Sequence, residues 1–126
     1  MSSDGAVLAD LYARYSYGVD ARNPDVIADC FDDDISFGIV GESPTLGREA
    51  VVERLRTRAS HDVVHHAFNI VVLESGPDAT VVRADFTMAR RGAAIATGRY
   101  LDHVVSGGTG VRFRSRSVEF TWRADV

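Results

Sequence analysis

The chain has little cysteine and no long apolar run, and each shortage excludes a class of protein. A single cysteine among 126 residues, Cys30, cannot form an internal disulfide, so we expect a reduced, cytoplasmic protein. A membrane-spanning helix needs about 20 consecutive apolar residues, and no run of that length occurs. The N-terminal segment MSSDGAVLAD lacks a basic stretch before an apolar one, so no signal peptide is expected.

Positive charge is also in short supply. The chain carries 14 basic and 18 acidic residues, for a formal net charge of −4. Nucleic-acid partners normally require a basic face, so we expect no nucleic-acid binding. Apolar residues make up 45% of the chain, which suffices for the core of a single domain spanning residues 1–126.

The first half of the sequence predicts helices. Apolar residues within 4–22 recur at three- and four-residue spacing, which predicts a long amphipathic helix with Asp4 as its N-cap. Asn23 followed by Pro24 is a helix-start signal for a second helix over residues 24–31. The acids at 32–34 predict a turn, followed by a short strand at 35–40. A third helix is expected from residue 47.

The second half predicts a sheet. Alternating or β-branched segments at 63–74, 80–90, 93–105 and 111–122 are separated by turn-forming residues. Helices followed by sequential long strands indicate an α+β fold, with the helices packed on an antiparallel sheet. Strands of this length exceed the usual five or six residues and tend to curl. We therefore expect a curved sheet that encloses a cavity.

The stretch Val63–Leu73, VVHHAFNIVVL, is the most informative for function. Strand alternation predicts that His65 and Asn69 share one face, while His66 lies on the other. A buried polar side chain without a partner costs on the order of 1–3 kcal/mol, so the His65 face either lines a polar cavity or is satisfied by neighbours. His66 is the alternative if the register is shifted by one residue.

Several segments together resemble the NTF2-like superfamily, and within it the SnoaL-like polyketide cyclases and the ketosteroid isomerases. The segments that carry the resemblance are Asn23-Pro24-Asp25, Gly47-Arg48-Glu49-Ala50-Val51, His65-His66 with Asn69, and Gly98-Arg99-Tyr100-Leu101-Asp102-His103. The resemblance implies a cone: three N-terminal helices packed on a strongly curved antiparallel sheet around a deep apolar pocket. It further implies a homodimer formed through the outer face of the sheet.

The resemblance also implies site residues. Tyr15 falls where ketosteroid isomerases place an oxyanion-hole tyrosine, and Asp102 where they place a hydrogen-bond-donating aspartic acid. Their catalytic base aligns with Ile39, which cannot move a proton. Asp20 and His65 instead match the layout of scytalone dehydratase-like members, while SnoaL-like cyclases use a late-strand aspartate, for which Asp102 is the candidate.

These matches lead to one functional hypothesis. We expect cofactor-free acid/base chemistry, without a metal, on an apolar carbonyl-bearing small molecule such as a polyketide or steroid-like compound. Asp20 would orient His65, and His65 would transfer the proton. Asp102, with Tyr15 and Tyr100, would hydrogen-bond the enolate oxygen that develops in the transition state. The substrate-binding side chains are expected to be Tyr15, Asn69, Tyr100 and Phe86.

Alternatives remain at each level. Asp102 has a structural interpretation, as a rim ion pair with Arg99 or Arg83. The alternating arginines of the last strand, Arg112, Arg114 and Arg116, predict a solvated face. At the level of the whole protein, isoleucine at position 39 favours a non-catalytic small-molecule-binding or accessory module. An assembly protein would instead expose Val118, Phe120 and Trp122 on the outer sheet.

Overall fold

A computed structural model describes residues 5–58, 62–107 and 110–124 of the chain. Its elements in chain order are α1 (Gly5–Asp20), α2 (Pro24–Asp29), β1 (Phe31–Ile39), β2 (Thr45–Leu46), α3 (Arg48–Arg58), β3 (Val63–Ser75), β4 (Thr80–Arg90), β5 (Ala93–Gly107) and β6 (Gly110–Arg123). The predicted helix-capping Asp4 lies outside the described residues.

Local sequence explains the helices. The predicted apolar stripe of α1 is buried, and it consists of Leu8, Leu11, Tyr12, Tyr15 and Val19. At α2, the Asn23 side chain accepts hydrogen bonds from the backbone N–H groups of Asp25 and Val26, and Pro24 occupies the first helical position. This confirms the predicted start of the second helix.

The six strands form one mixed sheet in the order β2-β1-β6-β5-β4-β3. The four long strands are antiparallel neighbours as predicted, but β1 runs parallel to β6, so the prediction of a purely antiparallel sheet was wrong. The acids at 32–34 lie within β1 rather than in a turn. They fit because the register slips between Phe31 and Ser36, which bulges the acidic segment away from β6.

The sheet is curved and not closed, and the helices do not all rest on it. Helix α1 packs against β3 and β6, whereas α2 packs mainly against α1 and α3. Helix α3 follows β2 and contacts β1, β2 and α2. The prediction of three helices packed on the sheet is therefore corrected: α1 and α3 contact the sheet, whereas α2 packs mainly against those two helices.

The sheet exposes several apolar side chains, including Phe68, Leu101 and Trp122. Val118 is buried and Phe120 is partly buried against the core, so the broad outer patch expected of an assembly protein is not formed by these residues. The homodimer stays a prediction. Among the described residues, no helix has the length and apolar character needed to cross a membrane.

Gly98 on β5 allows the sheet to pack closely at the cavity. A Cβ atom at this position would lie 2.5 Å from the Phe86 ring and would also overlap the Glu119 carbonyl oxygen. We expect Gly98→Ala to displace Phe86 and to lower the free energy of unfolding by about 1–3 kcal/mol, as overpacking does. Urea denaturation measures the change.

Gly110→Ala is the matched control, because a Cβ atom there meets nothing within 4 Å. Its effect should stay within about 0.5 kcal/mol. Equal stability of the Gly98→Ala and Gly110→Ala variants would show that Phe86 is not held in place by this close approach.

Candidate active site

The concave side of the sheet, together with α1 and α3, encloses an apolar cavity of about 280 Å³. Side chains from both helices and from all the strands except β2 line it. The lining residues are Tyr15, Val19, Phe37, Ile39, Arg54, Leu55, Arg58, Val63, His65, Phe86, Met88, Arg90, Ile95, Tyr100, Val118 and Phe120.

Asp20 and His65 form a pair at the edge of this cavity. Asp20 ends α1, and its carboxylate lies 2.6 Å from His65 Nδ1 and accepts the His65 backbone N–H at 3.1 Å. Both side chains are largely buried, at 23% and 12% exposure. Within the described ranges, no third histidine, cysteine or acid joins them into a metal-ligand cluster. The structure thus brings together the two residues that the sequence linked across 45 positions.

The contact fixes the state of the imidazole. A carboxylate can only accept, so the neutral ring must carry its proton on Nδ1. Nε2 is then an unprotonated acceptor, and it has no hydrogen-bond partner among the described residues. A histidine held in this tautomer, lining an apolar cavity, is suited to accept a proton from a bound molecule.

Tyr15, Tyr100 and Phe86 line the cavity, as predicted from the sequence. Tyr15 contacts Tyr100 edge-on with ring centroids 6.2 Å apart, and Phe86 stacks on Tyr100 at 4.6 Å. Burial raises the pKa of Tyr15, and burial followed by the neighbouring Tyr15 raises the pKa of Tyr100. Both hydroxyls therefore stay protonated at neutral pH and can donate hydrogen bonds.

Asp102 does not line the cavity, which corrects its predicted catalytic role. Its side chain is fully buried and accepts two hydrogen bonds of 2.9 Å from Arg116, at Nε and Nη2. The Tyr12 hydroxyl donates to the same carboxylate. Burial raises the pKa of the Asp102 carboxyl, and the Arg116 charge acts in the opposite direction. Because its partners occupy both oxygens, Asp102 serves the core rather than a substrate.

Arg116 was the partner that sequence reasoning missed. The predicted solvated face of Arg112, Arg114 and Arg116 assumes strict alternation, but His103 pairs with Ser115 and Val104 with Phe113, which leaves Arg114 as a bulge. The extra residue inverts the facing, so that Arg116 points inward. Arg112 is half-buried and pairs with Asp29, while Arg114 is exposed.

A second bulge corrects the prediction for Asn69. This residue has φ of 53°, and the pairing of β3 with β4 shifts between Phe68 and Val71. Its side chain turns to the outer face and donates to Asp85 at 3.0 Å, so it is not a substrate contact. His66 is exposed, and the register that places His65 inside holds as far as Ala67.

Three arginines of the cavity were also missed: Arg54 and Arg58 from α3, and Arg90 from β4. Only 14% of the Arg54 side chain is exposed, and its guanidinium lies 5.6 Å from the Phe37 ring centroid. A signal was present, because Arg54 and Arg58 share the inward stripe of Val51 and Leu55 at helical spacing.

A match over most of the chain shows the family to which it belongs. A family model for the SnoaL-like domain matches residues 2–117. The chain belongs to the SnoaL-like domain family. This confirms the resemblance found in the sequence. A comparison with curated proteins found no match.

Solved structures share the fold at low sequence identity. A hexachlorocyclohexane dehydrochlorinase, LinA-type3 from Novosphingobium barchaimii LL02, is 18% identical with a TM-score of 0.81, covering 96% of this chain and 88% of its own. A provisionally named scytalone dehydratase from Novosphingobium aromaticivorans DSM 12444 is 23% identical with a TM-score of 0.79, covering 96% and 86%. The β subunit of a provisionally named aromatic-ring-hydroxylating dioxygenase from that organism is 19% identical with a TM-score of 0.74, covering 94% and 90%.

The buried pair makes a prediction about stability. Asp102→Asn should lower the free energy of unfolding by about 3–5 kcal/mol, because it leaves the Arg116 charge buried and uncompensated. Urea denaturation followed by circular dichroism measures the loss. Asp85→Asn is the control, since Asp85 pairs with Arg83 on the outer face and should cost no more than about 1 kcal/mol. Similar losses in the two variants would contradict a structural role for Asp102.

Proposed function

We propose that the protein is a cofactor-free acid/base enzyme that moves a proton on an apolar, carbonyl-bearing small molecule bound in the cavity. The observation that carries the proposal is the Asp20–His65 contact of 2.6 Å beside an open cavity lined by His65. A structural histidine would be enclosed by its partners. Here one ring nitrogen is held by a carboxylate, and the other has no partner among the described residues.

In the proposed reaction, Asp20 orients His65 and stabilises the imidazolium that forms when Nε2 accepts a proton. The proton comes from a carbon next to the substrate carbonyl, and the electron pair of that C–H bond moves toward the carbonyl oxygen. Tyr15 and Tyr100 donate hydrogen bonds to the oxygen as it gains negative charge. Both hydroxyls can take this role because a tyrosine is protonated at neutral pH, and burial raises the pKa of each further.

Removal of this proton gives an enolate, which can react in three ways. Return of the proton to another carbon gives isomerisation, loss of a β-substituent gives elimination, and attack on a second carbonyl gives cyclisation. Two neighbours of the same fold are named a dehydrochlorinase and a dehydratase, and both names describe eliminations. We therefore favour elimination. The cavity of about 280 Å³ lies near the lower end of ligand sites and suits a molecule of one or two rings.

The alternative is a binding or accessory module that uses the same cavity without chemistry. Ile39 supports it, since this apolar side chain lines the cavity where the isomerases hold a base. A neighbour of the same fold is named as a β subunit of a dioxygenase. The Asp20–His65 pair favours the enzyme, because a purely apolar binding pocket gains nothing from an oriented imidazole.

The first catalytic prediction concerns His65. His65→Gln should lower turnover by about 10²–10⁴-fold, because glutamine cannot accept the proton. We would incubate the protein in D₂O with a panel of one- and two-ring β-substituted ketones and follow deuterium uptake and product formation by NMR. His66→Gln is the matched control, because the adjacent imidazole is exposed.

Unchanged turnover in His65→Gln would contradict the assignment. A panel member that raises Tm in the wild type and in His65→Gln alike, and that is recovered without deuterium, would support the binding module instead.

Asp20→Asn tests the orienting role separately. Asparagine can still accept the backbone N–H of His65, but it removes the charge that stabilises the imidazolium. We expect kcat to fall by about 10²-fold or more while the affinity for an unreactive substrate analogue stays within about threefold of the wild type. A weaker affinity with unchanged kcat would show that Asp20 shapes the cavity and does not assist His65.

A further inference from the structure

The charges that line the cavity are all of one sign. Arg54, Arg58 and Arg90 are among the lining residues, whereas no aspartate or glutamate of the described residues lines the cavity. The chain as a whole carries a net charge of −4, so this local excess of positive charge runs against the composition. Asp20 balances only His65. Such a lining favours an anionic ligand.

The three arginines differ in how firmly they are held. Arg54 donates to the Thr45 hydroxyl at 2.9 Å and lies 3.6 Å from the mostly exposed Glu42. Arg90 donates to Asp62 at 3.2 Å. These contacts hold the two side chains in place, and the guanidinium of Arg54 has further N–H donors beyond the one that Thr45 accepts.

Arg58 is different. It ends α3 one turn after Arg54, it is exposed, and it forms no ion pair with a carboxylate in the described part of the chain. Its neighbour Arg56 is held by Glu53 at 2.8 Å and does not line the cavity. A cation at the end of a helix suits the helix dipole, and this explains Arg56 and Arg58 equally. The helix dipole does not explain why, of Arg56 and Arg58, only Arg58 lines the cavity.

We propose that the ligand is an amphipathic acid whose one- or two-ring apolar body fills the cavity and whose carboxylate is bound by Arg58, with Arg54 and Arg90 beside it. This inference rests on the proposed function in taking the cavity as the substrate site. The planar guanidinium fork matches the two oxygens of a carboxylate. Arg58 is then a specificity-determining residue, because it selects the acid over neutral molecules of the same shape.

Unreactive probes of matched shape test the proposal. We would measure Kd by titration calorimetry for 2-naphthoate against 2-naphthamide and for benzoate against benzamide. The wild type should prefer each acid by about tenfold, and the preference should shrink between 50 and 500 mM NaCl. Arg58→Gln should remove most of the preference, whereas Arg56→Gln on the same helix should keep it.

Equal affinity for acid and amide in the wild type would overturn the proposal, as would an acid preference that survives Arg58→Gln or the binding of neither pair. The outcome is separable from that for catalysis. Turnover that depends on His65 but shows no acid preference would refute only the acid ligand. An acid preference without turnover that depends on His65 would refute only the enzyme.

Discussion

The fold depends on one buried ion pair. Arg116 and Asp102 are directly opposite each other on β6 and β5, and neither side chain is exposed. Burial lowers the pKa of the Arg116 guanidinium, but Asp102, together with Tyr100 and Tyr12, raises it overall. The Tyr12 hydroxyl ties α1 to the same carboxylate. Because a buried charge without its partner is costly, the helix and both strands must reach their positions together.

The pair also sets the floor of the cavity. The Arg116 guanidinium lies 3.6 Å from the Tyr100 ring centroid and 4.4 Å from that of Tyr15. Both tyrosines line the cavity, whereas Arg116 does not. Contacts of a cation with aromatic faces are strongest where water is excluded. The rings of both tyrosines are thereby held against a fully buried guanidinium. Hydrogen-bond donors placed in advance are what the stabilisation of a developing oxyanion requires.

Sequence periodicity predicted most elements, the burial of the α1 stripe and the facing of His65. It failed at Asn69 and around Arg114, because each residue sits at a bulge, and one inserted residue inverts every later side chain on a strand. The position of a bulge depends on how two whole strands pair, and the residue pattern within one strand does not determine that pairing. The catalytic role expected of Asp102 came from the family resemblance, and periodicity could not reveal its partner, because the bulge at Arg114 turns Arg116 inward. The Asp20–His65 pair was also expected from the resemblance, since local pattern does not link two residues 45 positions apart.

The charged residues that stabilise the fold are not the ones that would bind an anionic ligand. Arg116 carries a full positive charge beneath the cavity floor, but Asp102 neutralises it at 2.9 Å, so the floor offers a ligand little net attraction. His65 is similarly matched by Asp20. Arg58 has no such acidic partner among the described residues, and Arg54 and Arg90 pair with acids that are about half exposed to solvent, which screens those pairs. An anionic ligand would therefore be attracted by the arginines of α3 and β4, whereas proton transfer would depend on the Asp20–His65 pair. The two functions can be altered independently because they use different side chains.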